Sequence, residues 1–294
     1  MTSIEPSASP RRGRAEGRSR PLEALRRPGL ALMCLTIVSL VQPGCVRRSD
    51  CAWAPARVSP VPDSASERDE IYSLAAMAVV VRDWQRGVGK ETRGYNIGSV
   101  LVAPDGRIVA WGRNCNRRTA NGTQHGEVRL IQSYLATARS YHLEGYSVYT
   151  TLEPCAQCSG MMVLAKLRRV VYAQTDPEFG GALERLALDS RGVPGGRGPY
   201  PRAVTSEHGR FAGAVELDAA YARELSRPDA RSLVEWLGSD EARGTFERAV
   251  ARLSTMSPQH PENRTILAEA RAFVSAVPDH DVPQFPWDLP GPVK

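Results

Sequence analysis

Between His125 and Cys158 lie the residues that most restrict how this chain can fold. His125-Gly126-Glu127 is followed well downstream by Pro154-Cys155-Ala156-Gln157-Cys158. One histidine and a cysteine pair separated by two residues can supply three ligands to a tetrahedral zinc ion, with the fourth position open to water. The fold must then bring two distant segments to one point. Glu127 stands where a general base would be needed. A zinc-ribbon knuckle would require a second cysteine pair at ligand spacing, and Cys34, Cys45, Cys51 and Cys115 provide none. Cys115 could instead complete a closed site of one histidine and three cysteines, which would be structural and inert. Glu127 taken alone could be a helix N-terminal acid that stabilises the dipole.

The flanking pattern says what carries these residues. Ser66-Glu67-Arg68-Asp69-Glu70 reads as a helix entrance with Ser66 as the cap. Ile71, Leu74, Ala75, Ala78, Val79 and Val81 then carry the helix to about Trp84, before Gly87 and Gly89. Ile97–Ala103 and Arg107–Trp111 are apolar, β-branched runs around Pro104-Asp105-Gly106, a hairpin signal. A helix is expected from His125 to about Arg139, a strand over Ser147–Thr151, a helix over Cys155–Lys166 and a strand over Arg169–Gln174. Helices and strands in this order predict an α/β/α three-layer sandwich around a mixed sheet. His125 and Glu127 open one helix, while Cys155 and Cys158 open the other. Two positive dipole ends therefore converge on the metal and favour thiolate. Gly192–Pro201 reads as a turn-rich connector and Asp218–Ser226 as a helix, with helical periodicity returning over Arg231–Met256 and Glu262–Val277. Trp84, Trp111 and Tyr149 read as core, and His142 and His208 as packing or solvent-facing residues.

Charge narrows the partners. Of the net +6, ten arginines against Glu5, Glu16, Glu23 and Asp50 in residues 1–60 account for everything, leaving 28 basic and 28 acidic residues beyond. A balanced body lacks the basic surplus usual on a nucleic-acid-binding domain, so charge does not support tRNA as a partner. Residues 1–29 have a disordered-type composition, rich in Arg, Pro, Ser and Gly. Leu30–Val41 is an uncharged apolar run after this basic region, the plan of a signal peptide or anchor and short for a membrane span. Export or membrane tethering through residues 30–41 and a cytoplasmic protein with a start-site prefix both fit.

These residues resemble the cytidine deaminase-like zinc hydrolases, and among them most nearly the bacterial tRNA-specific adenosine deaminases. The pairing of H-x-E with P-C-x-x-C is the known signature of zinc deaminases. Thr151-Leu152-Glu153-Pro154-Cys155, Gly160, Arg169-Val170-Val171-Tyr172, and Asp176 with Gly180 extend the likeness over roughly residues 67–190. The resemblance implies a cytidine deaminase-like three-layer α/β/α sandwich around a mixed five-stranded sheet, here with a C-terminal helical extension. It implies zinc as cofactor, His125, Cys155 and Cys158 as its ligands, and Glu127 as the proton shuttle. Gly112-Arg113-Asn114 looks like the family's Gly-x-Asn, so Asn114 should hydrogen-bond the base, with backbone near Thr151–Pro154 lining the same pocket. The implied reaction is hydrolytic deamination of an adenine- or cytosine-type nucleobase, free, as a nucleoside or as a tRNA wobble adenosine, by a homodimer. Gly126 in place of the usual alanine, Ala120–Thr123 and Glu184–Leu188 depart from the family's pattern. An exported deaminase of foreign nucleic acid or extracellular nucleosides, and a non-catalytic zinc-stabilised module, are the competing readings. The chain divides as a basic segment over 1–60, a zinc deaminase domain over 62–226, a helical extension over 228–277 and a Pro-rich tail over 278–294.

Overall fold

The structure, a computed structural model, describes residues 63–280. The basic segment, the apolar run over 30–41 and nearly all of the Pro-rich tail lie outside the described residues. Among those residues no helix is long and apolar enough to cross a membrane.

A five-stranded mixed sheet organises the chain, with β1 (Gly98–Val102), β2 (Ile108–Arg113), β3 (Ser147–Leu152), β4 (Arg169–Gln174) and β5 (Thr205–His208) in the order β2-β1-β3-β4-β5. β1 runs antiparallel to β2 and β3, whereas β3, β4 and β5 are parallel. The hairpin turns where Pro104-Asp105-Gly106 predicts it: Gly106 has φ +89°, and the Asp105 carboxylate accepts from the Arg107 amide. Strand residues alternate as the pleat requires. Val100, Tyr149 and Val171 pack towards α1 (Ser64–Val81), while Leu101, Val148 and Val170 pack among residues of α2 (Gly126–Ala138) and α3 (Ala156–Leu164). Helices thus cover both faces, giving the expected three layers.

Several boundaries differ from the sequence reading. α1 is capped by Asp63, whose carboxylate accepts from the Ser66 amide, and not by Ser66. It ends at Val81, before the glycines. β5 supplies the fifth strand that the resemblance implies, but nothing in its residues locates it, because Thr-Ser-Glu-His carries no apolar alternation and sits half-exposed on the sheet edge. The short helix α4 (Ala182–Leu186) also gives no periodic signal. α5 (Ala212–Leu225) starts earlier than Asp218, and Arg231–Met256 is two helices, α6 (Leu233–Trp236) and α7 (Asp240–Thr255), parted at Gly238. Each of the two has its own serine: Ser232 in a capping box with Glu235, and Ser239 accepting from the Ala242 amide.

α7 and α8 (Asn263–Ala276) pack on α1, so every residue from Ile71 to Val80 is buried. A helix apolar on all sides has to be covered on all sides. Phe246, Leu253 and Leu267 cover the outer face of α1, in one core with Ile71, Met77, Phe211 and Trp236.

Candidate metal centre

Two helix starts and two strand ends meet at one end of the sheet. β3 stops at Leu152, and Glu153-Pro154 leads into Cys155, the N-cap of α3; His125 is the N-cap of α2. Proline ends the strand because it cannot donate to the ladder. Gly112 lets α2 come close to β2: a Cβ there would lie 2.1 Å from the Gly126 carbonyl oxygen. A Cβ on Gly126 would in turn stand 3.1 Å from the Gly112 oxygen, a tight contact that alanine would meet only with a small shift of the neighbouring backbone.

This packing gathers four of the five residues singled out in the sequence. His125 Nδ1 lies 3.5 Å from Cys155 Sγ and 3.4 Å from Cys158 Sγ, and the two sulfurs are 3.7 Å apart. Tetrahedral bonds of about 2.3 Å to sulfur and about 2.0–2.1 Å to nitrogen place ligand atoms about 3.5–3.8 Å from one another. The three residues therefore fit a zinc ion. Among the described residues they are the one group of this kind, and Cys115, although buried, is not in it. The closed site with Cys115 as fourth ligand is not formed.

Protonation reflects the crowding. A hydrogen bond from Cys158 and a second with His125 draw the Cys155 thiol down to about 4, while that same bond, with burial and the nearby Glu127, pushes Cys158 well above its ordinary value. His125 is held above the usual histidine range, first by its bond with Cys155.

Glu127 occupies the first turn of α2 and is buried. Its Oε1 accepts from Thr150 Oγ1 at 3.0 Å, and its Oε2 lies 3.6 Å from Cys158 Sγ. Burial raises its pKa above the ordinary carboxylate range. A buried carboxyl beside one of the three donors can take up a proton and hand it on.

Asn114 lies just past the end of β2, fully buried, its backbone against Gly126. Its Oδ1 accepts from the Tyr95 and Asn116 amides, both at 3.2 Å, and its Nδ2 has no partner among the described residues. Sequence reasoning missed two supporting side chains. Thr150 read only as a strand residue. Glu153 accepts from the Asp176 amide at 3.0 Å and the Gly181 amide at 2.7 Å, tying the loop after β4 to the start of α3. A charged residue directly before Pro154-Cys155 was the available signal. His208 packs edge-on to Tyr172 with Nε2 2.8 Å from Asp218, and Tyr149 lies in the core with its hydroxyl donating to Asp69.

Comparison with known proteins adds to this geometry. A family model described as the cytidine and deoxycytidylate deaminase zinc-binding region matches residues 72–174. A tRNA-specific adenosine deaminase of Bacillus subtilis (strain 168) is 31% identical over 126 residues, 42% of this chain and 74% of the relative. A tRNA(Ile)-lysidine synthase of Deinococcus deserti is 34% identical over 84 residues, 29% of this chain but only 16% of the synthase. A solved structure from studies of A-to-I editing by tRNA:A34 deaminases at the wobble position matches 38% of this chain and 78% of its own, at 31% identity and a TM-score of 0.30.

Proposed function

This chain belongs to the cytidine and deoxycytidylate deaminase family, and on that premise we propose that it is a zinc-dependent hydrolytic deaminase, replacing an exocyclic amine of a nucleobase with a carbonyl oxygen and releasing ammonia. The observation that carries this reading is the buried Glu127 carboxyl, fixed by Thr150 beside Cys158, one of the three residues that could hold a metal with His125 and Cys155. His125, Cys155 and Cys158 would hold the zinc. When bound, zinc supplies acidity to water, lowering its pKa to about 7 so that a nucleophile exists at neutral pH. Glu127 takes a proton from the attacking water, passes it to a ring nitrogen of the base, and then serves the departing amine. Asn114 offers a buried, unpaired Nδ2 donor to an acceptor atom on the substrate.

The likeness to a tRNA-specific adenosine deaminase makes a tRNA wobble adenosine the first substrate to try. The charge-balanced body of 28 basic and 28 acidic residues supports including free bases and nucleosides. The test is ammonia release from adenine, adenosine, cytosine, cytidine, guanine and a tRNA carrying a wobble adenosine. Glu127→Ala is expected to lower the rate by about 10²–10⁴-fold while zinc stays at one ion per chain by elemental analysis. Failure of zinc-loaded wild type to release ammonia from any of the six would overturn the reading in favour of a non-catalytic zinc-stabilised module. We also propose a homodimer, supported by the family resemblance; light scattering should give twice the 32.1 kDa chain mass.

A further inference from the structure

Asn114 is held at nearly every atom that can form a hydrogen bond. Its amide donates to the Ile97 carbonyl at 2.9 Å, and its Oδ1 accepts from the Tyr95 and Asn116 amides. Two N–H donors on that oxygen fix which way the side-chain amide is turned, so Nδ2 is the remaining group. Its carbonyl oxygen is taken by the Arg93 guanidinium. Arg93 is wholly buried. Its Nε donates to the Asp83 carboxylate at 2.8 Å and its Nη2 to the Asp83 carbonyl at 3.1 Å.

A buried ion pair is weak support for stability, because desolvation offsets most of the attraction. Its use here is better sought in geometry. The Arg93 amide donates to Gln85 Oε1 at 2.8 Å, and Asn96 Nδ2 donates to the Gln85 carbonyl at 2.7 Å and to the Leu237 carbonyl at 3.1 Å. Gly94 between them leaves room for the arrangement: a Cβ would fall 2.4 Å from Asn114 Oδ1. The segment from Asp83 to Asn96 is thus folded around one residue, and only the donor nitrogen of that residue is unengaged.

We propose that the Asp83–Arg93 pair is a positioning device that holds Asn114 Nδ2 as a preorganised donor for an acceptor atom of the nucleobase, and so sets substrate affinity through Asn114. This rests on the role given to Asn114 above. A donor fixed before binding saves the ordering of an amide on association. A bond made equally to ground and transition states appears in KM and not in kcat.

The experiment is a double-mutant cycle on zinc-loaded full-length protein, using whichever of the six substrates is turned over fastest. Asp83→Asn and Asn114→Ala should each raise KM about tenfold with kcat within about twofold, the scale of one hydrogen bond. The double variant should be no worse than Asn114→Ala, and Asp83→Glu should restore part of the affinity. Additive losses in the double variant, or a KM unmoved by Asp83→Asn, would overturn the proposal. A second readout needs no turnover: the Asn114 side-chain amide pair, assigned in ¹⁵N NMR by its loss in Asn114→Ala, should be well dispersed in wild type and shift towards the unfolded position in Asp83→Asn, with the other amides in place. If that pair does not move, positioning fails whatever the activity. If it moves while no substrate is deaminated, the positioning stands and the deaminase reading is what fails.

Discussion

At the scale of single residues, the proposed chemistry rests on side chains whose neighbours leave them one option. Glu127 cannot relax into solvent, and its proton affinity is set by burial while its direction is set by Thr150. Thr150→Val, which keeps the shape and removes the hydroxyl, should lower kcat of ammonia release by about tenfold with zinc content unchanged, on the scale of one hydrogen bond to a charged group. Gly112 is an equally tight constraint without any chemistry of its own. Gly112→Ala would drive a methyl into the Gly126 carbonyl. Overpacking of this kind costs about 1–3 kcal/mol, and denaturant unfolding should show a lower midpoint, with weaker zinc retention because α2 carries His125.

Elements matter here through their ends. α2 and α3 present their N-termini to one point, so metal binding adds a link between two helices that already share an apolar core. Chelation of zinc should therefore lower the thermal midpoint, and Cys158→Ser should lower it comparably in the absence of chelator; differential scanning calorimetry with and without chelator checks both. A different junction contributes to stability against acid. Side-chain and backbone hydrogen bonds from Arg231, with a further bond from Arg227, hold Glu224 far below the ordinary carboxylate range and tie the end of α5 to the approach to α6. A depressed folded-state pKa gives stability that is complete above the unfolded value of about 4.3 and is lost as pH falls through the lowered one. Glu224→Gln should accordingly melt below wild type at pH 7, and the gap should shrink towards pH 3.

For the whole molecule, the C-terminal helices share the core of the deaminase fold. Trp84 meets Phe246 edge-on at 5.3 Å, and Phe246, Leu253 and Leu267 cover the outer side of α1. Phe246→Ala should cost about 3–5 kcal/mol in urea unfolding, and a chain ending before α7 should be recovered unfolded or aggregated. The Asn96 to Leu237 bond runs from the α6–α7 junction into the segment that holds Asn114. Loosening α7 is therefore expected to reach the site as well as the core.

The sequence by itself determined the metal-type donor set, Glu127 beside it, four of the five strands and the helices that carry the ligands. These are local matters: ligand spacing, a Pro-Asp-Gly turn, and apolar periodicity over a few turns. The all-round burial of α1 was decided by the packing of α7 and α8 on it, since the sequence reading takes only its periodic apolar positions. Tertiary structure alone decided what lies opposite each side chain. Thr150 against Glu127, Arg93 against the Asn114 carbonyl, Gly112 against Gly126 and the Cys115 thiol outside the metal cluster all depend on contacts between segments distant in sequence. β5 became a strand because β4 offered an open edge, not because its own residues favour one. A chain declares its chemistry through residue type and spacing, but orientation and protonation arise only when packing fixes which groups face one another and how much water is left between them.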